Sequence, residues 1–213
     1  MQGSFKLGTL AGIDVRLHYT WLFAFFLIAW SLALGYFPMS DQGLGLSTYW
    51  ILGIVAALLL FGSVLVHELG HSLVAAARGI HVDNITLFIF GGVSSIAQEA
   101  STAKDEFLVS VVGPLISLAL ASLFWAVGQV LPPGSPVGTL ASYLGMTNLL
   151  LGLFNIVPGF PLDGGRVLRS LVWGTTGNLS RATQIASYVG QAVAFALIGW
   201  GGVRVLSGEC STL

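Results

Sequence analysis

His67, Glu68 and His71 stand in the stretch VHELGHSLVAA, residues 66–76. The two histidines are four apart, so on a helix they share one face. Two imidazoles at that spacing can hold one zinc ion, with the intervening glutamate beside it as general base. A catalytic zinc also needs a third protein ligand and an open position for water. Asp163, in FNIVPGFPLDGGRVLR (154–169), is the candidate ligand. It is the other acid that falls within the apolar profile, and it lies where prolines interrupt the helix. The bland reading is a pair of core histidines hydrogen-bonded to neighbouring helices. A carboxylate in hydrocarbon costs at least about 2–3 kcal/mol, and an ionisable group there reads first as functional.

The elements that must position these residues are apolar. Of 213 residues, 55% are hydrophobic and only 8% charged, with a mean hydropathy of +0.87. Soluble domains are about a quarter charged, so the chain reads as an integral membrane protein. A net charge of -1 argues against nucleic acid as a partner, which would need a basic face. Cys210, the one cysteine, excludes an intrachain disulfide and a thiolate metal cage. The first twenty residues lack the basic, apolar and small-residue regions of a secretory signal.

A helix crosses a bilayer with about 20 apolar residues. Uncharged runs predict five spans. The first is Trp21–Tyr36, ending before Pro38, and the second runs from about Trp50 to Ala77. Two more lie within the uncharged run Phe107–Leu162, parted by the breaker LPPGSPVG (131–138), and the fifth is about Ala182–Val203. Lys6, Arg16, Arg78, Lys104, Arg166, Arg169 and Arg181 fall on one side of this map and Arg204 on the other. The positive-inside rule then predicts a cytoplasmic N-terminus, with Arg166 and Arg169 as topology anchors. His67 lies about 16 Å from Arg78 along a continuous helix, which submerges the site on the cytoplasmic side of the midplane. The expected fold is an all-α polytopic bundle of five transmembrane helices, with a short membrane-associated β-strand or hairpin after the second.

These motifs resemble the site-2 protease family of intramembrane zinc metalloproteases, peptidase family M50. HELGHS (67–72) is similar to the family's H-E-x-G-H helix, and FNIVPGFPLDGGRVLR to its N-x-x-P-x-x-P-L-D-G-G-R motif. ITLFIFGGVSSI (85–96) resembles its strand-forming stretch, and EFLVSVVGPLISL (106–118) its E-x6-G-P-x-x-S/N segment. The resemblance implies that His67, His71 and Asp163 bind one zinc and that Glu68 is the catalytic base. It also implies a bacterial or archaeal cell membrane. The implied substrate is a transmembrane protein, such as an anti-sigma factor or membrane-tethered transcription regulator. The group it looks closest to has a six-span core, often followed by CBS domains. With five recognisable spans, residues 1–213 are expected to be a single metalloprotease core, truncated at the C-terminus or naturally short.

The tetrahedral oxyanion of peptide hydrolysis needs a further donor. Asn155, eight residues before Asp163, is the candidate. Asn148, seven residues earlier, is either a second substrate contact or an interhelical hydrogen bond. A helix hides its amides, so a substrate must be extended to be cut. The strand-forming stretch, with Ile89, Phe90, Gly91 and Gly92 at its centre, either pairs with such a segment by strand addition or forms a hairpin that plugs the site. His18 reads as an interfacial side chain and His81 as a solvated one. The competing function is a membrane metal-binding or transport protein using the same ligands; a catalytically silent scaffold is the third.

Overall fold

The computed structural model describes residues 3–89, 91–96 and 100–207. Among the described residues, five helices are long and apolar enough to cross a membrane: Thr20–Ser40, Leu46–Ala77, Ala103–Val130, Pro136–Ile156 and Leu179–Leu206. The first is composite. It comprises α1 (Thr20–Ser31), a π-helical turn (Leu32–Tyr36) and α2 (Phe37–Ser40). Pro38 does not end it, because proline is tolerated in the first turn of the short α2. The others are α3 (Leu46–Ala77), α4 (Ala103–Val130), α5 (Pro136–Ile156) and α7 (Leu179–Leu206). Between α5 and α7 lies a sixth helix that hydropathy does not reveal, α6 (Asp163–Thr176). It is amphipathic and too short to span, so a search for apolar runs passes over it.

The sheet is larger than the single strand or hairpin expected after the second span. An N-terminal hairpin, β1 (Ser4–Leu10) and β2 (Ile13–His18), joins β3 (Val82–Phe88) and β4 (Gly91–Ile96). The order is β1-β2-β3-β4, with β2 and β3 parallel and the outer pairs antiparallel. The stretch 85–96 is therefore not one strand: its second half folds back and leaves β4 at the sheet edge. Ala11 and Gly12 both have positive φ, which is what a two-residue hairpin turn requires. The Lys6 ammonium, 2.6 Å from Asp14, closes this hairpin and holds the Asp14 carboxyl below the usual carboxylate range.

Strand β2 alternates in burial, and Ile13, Val15 and Leu17 point inward. Ile13 joins Ala75, Ile80, Val82, Ile85, Ala100 and Val109 in one apolar cluster. A second cluster joins Leu32, Phe37, Tyr49, Leu52, Ala56, Leu140 and Leu144 near the start of α3. Both clusters draw on α3, one before His67 and one after His71, so the stretch 67–71 is braced from both ends.

Candidate metal centre

Helix α3 needs no special local chemistry to present its histidines. Ser63, His67, Ser72 and Ala75 are buried on it, as is His71, and the i, i+4 spacing stacks 63, 67 and 71 on one stripe. Asp163 arrives from the other side as the first residue of α6. The two glycines that follow it let that first turn nest against the preceding loop. A Cβ at Gly165 would fall 2.5 Å from the Phe160 nitrogen and 2.7 Å from the Gly159 oxygen, and one at Gly164 would strike the Ile156 and Val157 carbonyls.

Three ligand atoms converge. His67 Nε2 is 3.2 Å from Asp163 Oδ2, His71 Nε2 is 3.1 Å from the same oxygen, and the two Nε2 atoms are 3.2 Å apart. Tetrahedral zinc with bonds near 2.0–2.1 Å sets neighbouring ligand atoms roughly 3.3 Å apart. The histidines are oriented from behind by α4. His71 Nδ1 lies 2.6 Å from the Val109 carbonyl and His67 Nδ1 lies 2.9 Å from Ser117 Oγ. A carbonyl only accepts, so His71 Nδ1 carries a proton, which leaves Nε2 as the ring's ligand atom. Two ring nitrogens and a carboxylate oxygen facing one point are the donor set of a cation site.

The space for that cation exists because residue 113 is glycine. A Cβ there would stand 2.7 Å from His67 Nε2 and closer still to His71 Nε2, where the ion belongs. The donor set, its spacing and this vacant volume fit a zinc site with three protein ligands. His67, His71 and Asp163 are the one such cluster found among the described residues.

Glu68 is partly exposed beside this centre. Ser94 Oγ of β4 donates to Glu68 Oε2 at 2.9 Å, and Ser72 Oγ donates to Ser94 Oγ at 3.1 Å. Gly92 lets β4 pass the side chain closely, since a Cβ there would sit 3.1 Å from Glu68 Cδ. The sheet edge and the glutamate are thus in direct contact.

The sequence model described as peptidase family M50 matches residues 55–134 and 134–197. The chain belongs to peptidase family M50. M50 relatives include a putative zinc metalloprotease of Synechocystis sp., 44% identical over 209 residues, 97% of this chain and 54% of the relative. The putative zinc metalloprotease Rip3 of Mycobacterium tuberculosis is 39% identical over 211 residues, 98% of this chain and 53% of the relative. The chain spans about half the length of these curated relatives. Among solved structures, the site-2 protease of Methanocaldococcus jannaschii matches with a TM-score of 0.61 and 31% identity, covering 95% of this chain and 86% of that one. Zinc, which those M50 relatives are named for, is the ion that the three-ligand centre fits.

The other residues singled out in the sequence take varied places in this M50 fold. Asn155 is partly buried near the end of α5, and its Nδ2 donates to the Leu151 carbonyl at 3.0 Å. Asn148 is fully buried and donates to Ser63 Oγ at 3.1 Å and to the Leu144 carbonyl at 2.8 Å. That is the interhelical hydrogen bond named above as one of its two readings. Ile89 and Gly91 border an apolar cleft of about 410 Å³ that also touches Ile28, Val64, Leu151 and Phe154. Gly92 abuts Glu68; Phe90 lies outside the described residues. His18 Nδ1 bonds Thr20 Oγ1 at 2.8 Å, and exposed His81 pairs with Asp83 at 3.2 Å. Arg169 is not an exposed anchor: its Nε donates to Glu106 Oε1 at 2.6 Å, and Glu106 has no exposed surface.

Sequence reasoning missed Gly113, Ser117, Val109 and Ser94 as parts of the centre. For the first two the signal was available, because they are the glycine and serine of the E-x6-G-P-x-x-S segment. The Val109 carbonyl is backbone, so its role leaves no trace in residue type.

Proposed function

We propose that this chain is the membrane-embedded core of a zinc endopeptidase that hydrolyses peptide bonds within or beside transmembrane segments of membrane-tethered proteins. One observation carries the reading. Two imidazole nitrogens and a carboxylate oxygen, from residues up to 96 apart in sequence, lie within 3.2 Å of one another, and a Cβ at Gly113 would crowd both histidines.

His67, His71 and Asp163 hold the ion. When bound, zinc supplies a Lewis acid that brings a water's pKa to about 7 and polarises a carbonyl. Glu68, with Oε2 engaged by Ser94, takes the attacking water's proton at Oε1 and returns it to the leaving amine. Asn155 turns its amide from the Leu151 carbonyl to the developing oxyanion. The substrate adds to β4 as an extended strand. The edge position of β4, its contact with Glu68 and the apolar cleft at Ile89 and Gly91 support that role. The distribution of Lys and Arg supports a cytoplasmic N-terminus and a multi-pass arrangement in the cell membrane.

The test is cleavage of a single-span substrate in detergent by the wild type and by Glu68→Gln. Cleavage is expected to fall by ~10²–10⁴-fold, with zinc content unchanged. Equal rates would remove Glu68 from the mechanism, and a wild type that binds no stoichiometric metal would overturn the reading altogether.

A further inference from the structure

The metal-binding machinery does not account for the charges between α4 and α6. Glu106, in the first turn of α4, has no exposed surface. Its Oε1 accepts from Nε of Arg169 at 2.6 Å and is paired with a terminal nitrogen of the same guanidinium. Arg166 Nε lies 3.8 Å from the same oxygen. The Arg169 guanidinium also stands 5.4 Å over the Phe160 ring, in the loop that leads to Asp163. One side chain thus touches α4 and the loop preceding the metal-binding aspartate.

The position of Glu106 on α4 is informative. Glu106, Val109, Gly113 and Ser117 are buried at three- and four-residue intervals, so they form one stripe. The last three touch or border the histidines. Glu106 is seven residues from Gly113, about 10 Å along the axis, and Arg169 is six from Asp163, about 9 Å. The ion pair and the metal centre are therefore two crossing points of a single α4–α6 seam.

A buried ion pair is weak evidence for stability, and its best-attested use is to specify register. Register matters here. A slide of α6 by one residue moves Asp163 about 1.5 Å and turns it by about 100°. Apolar packing in lipid penalises such a slide weakly, whereas two N–H groups of one guanidinium on a buried carboxylate oxygen fix distance and direction together. We propose that Glu106 and Arg169 are a positioning pair, docking α6 on α4 so that Asp163 meets His67 and His71 at the ion.

This inference rests on the metal-centre reading, and the experiment separates the two. Zinc affinity is measured by chelator competition on the purified, detergent-solubilised chain, with cobalt substitution to report the ligand set. Arg169→Gln is expected to weaken zinc binding ~10- to 100-fold, the range for loss of residues that orient metal ligands, and to alter the cobalt absorption bands. Arg169→Lys, which keeps the charge but not the planar fork, should recover part of the affinity. Glu106→Gln should weaken binding similarly, and the double variant should add little to either single loss. Arg78→Gln is the control. It breaks a partly exposed pair to Asp105 at 3.4 Å that joins α3 to α4 without α6, and it should leave affinity and spectrum unchanged.

Wild-type affinity and cobalt bands in folded Arg169→Gln would overturn the inference and leave the metal centre standing. Should that variant not fold, Glu106→Gln, which keeps the side chain's shape, decides by the same readings. Additive losses in the double variant would also count against a coupled pair. Absence of stoichiometric metal in the wild type would instead sink the metal-centre reading.

Discussion

Ser63 and His67 sit one turn apart on the same buried stripe of α3, and they lead to two polar contacts that differ in kind. At Ser63, donor meets acceptor. The Asn148 amide donates to the hydroxyl, which donates in turn to the Leu59 carbonyl at 3.0 Å. At His67, two imidazole Nε2 atoms and a carboxylate oxygen face one another across little more than 3 Å, the spacing of three ligands about one ion. In the first contact every N–H and O–H has an acceptor, and it works as interhelical packing. The second has the atoms and spacing of a metal site. In a membrane helix, then, a buried polar residue is not by itself a functional signal; the convergence of several ligand atoms on one point separates the two cases.

The strongest way to break this contrast is to fill the cation's volume. Gly113→Ala puts a methyl group against both Nε2 atoms, and the purified chain is expected to lose its zinc and all cleavage. Zinc retained at one per chain would place the ion elsewhere. A smaller effect separates metal binding from transition-state stabilisation. Asn155→Ala should lower the cleavage rate by ~10²–10³-fold, the usual loss for one oxyanion donor, while zinc content stays constant. A rate within twofold of wild type would return Asn155 to the helix-end hydrogen bond it makes to Leu151.

The smallest effect belongs to the other contact. Asn148→Leu should destabilise the bundle by about 0.6–2 kcal/mol, as interhelical hydrogen bonds in membranes do, measured by reversible denaturation in detergent. Zinc content and cleavage should stay within twofold. The loss is modest partly because Asn148 Oδ1 has no partner among the described residues, so leucine also removes a buried unsatisfied atom. Zinc loss from this variant would mean that the two contacts are one network, and the contrast would fail.

Much of the molecule was legible before any coordinates. Uncharged runs located all five long helices, with ends displaced by a few residues. The errors have local causes. Pro38 reads as a stop, yet it starts a helical turn. Asp163–Thr176 escaped notice because a short amphipathic helix has no long apolar run. The N-terminal hairpin was passed over although Ile13–His18 alternates apolar and polar residues as a half-buried strand does. The convergence of Asp163 on the histidines was anticipated from the cost of an acid in hydrocarbon. That of Glu106 on Arg169 was not, since Glu106 stands at a helix start, where an acid is unremarkable.

The amino-acid sequence by itself determined the membrane class, the number of long helices and the identity of the groups able to bind a metal. Those follow from composition and from spacings within one helix, where 3.6 residues per turn dictate who shares a face. Only the tertiary structure decided which helices bring those groups together. It set Gly113 against the two histidines, fastened Ser94 to Glu68 and closed the α4–α6 seam on a buried ion pair. In lipid a helix is apolar on every side, so the periodicity that would mark its inward face in water is missing. Which face turns inward is then set by close packing between helices, to which hydropathy is blind.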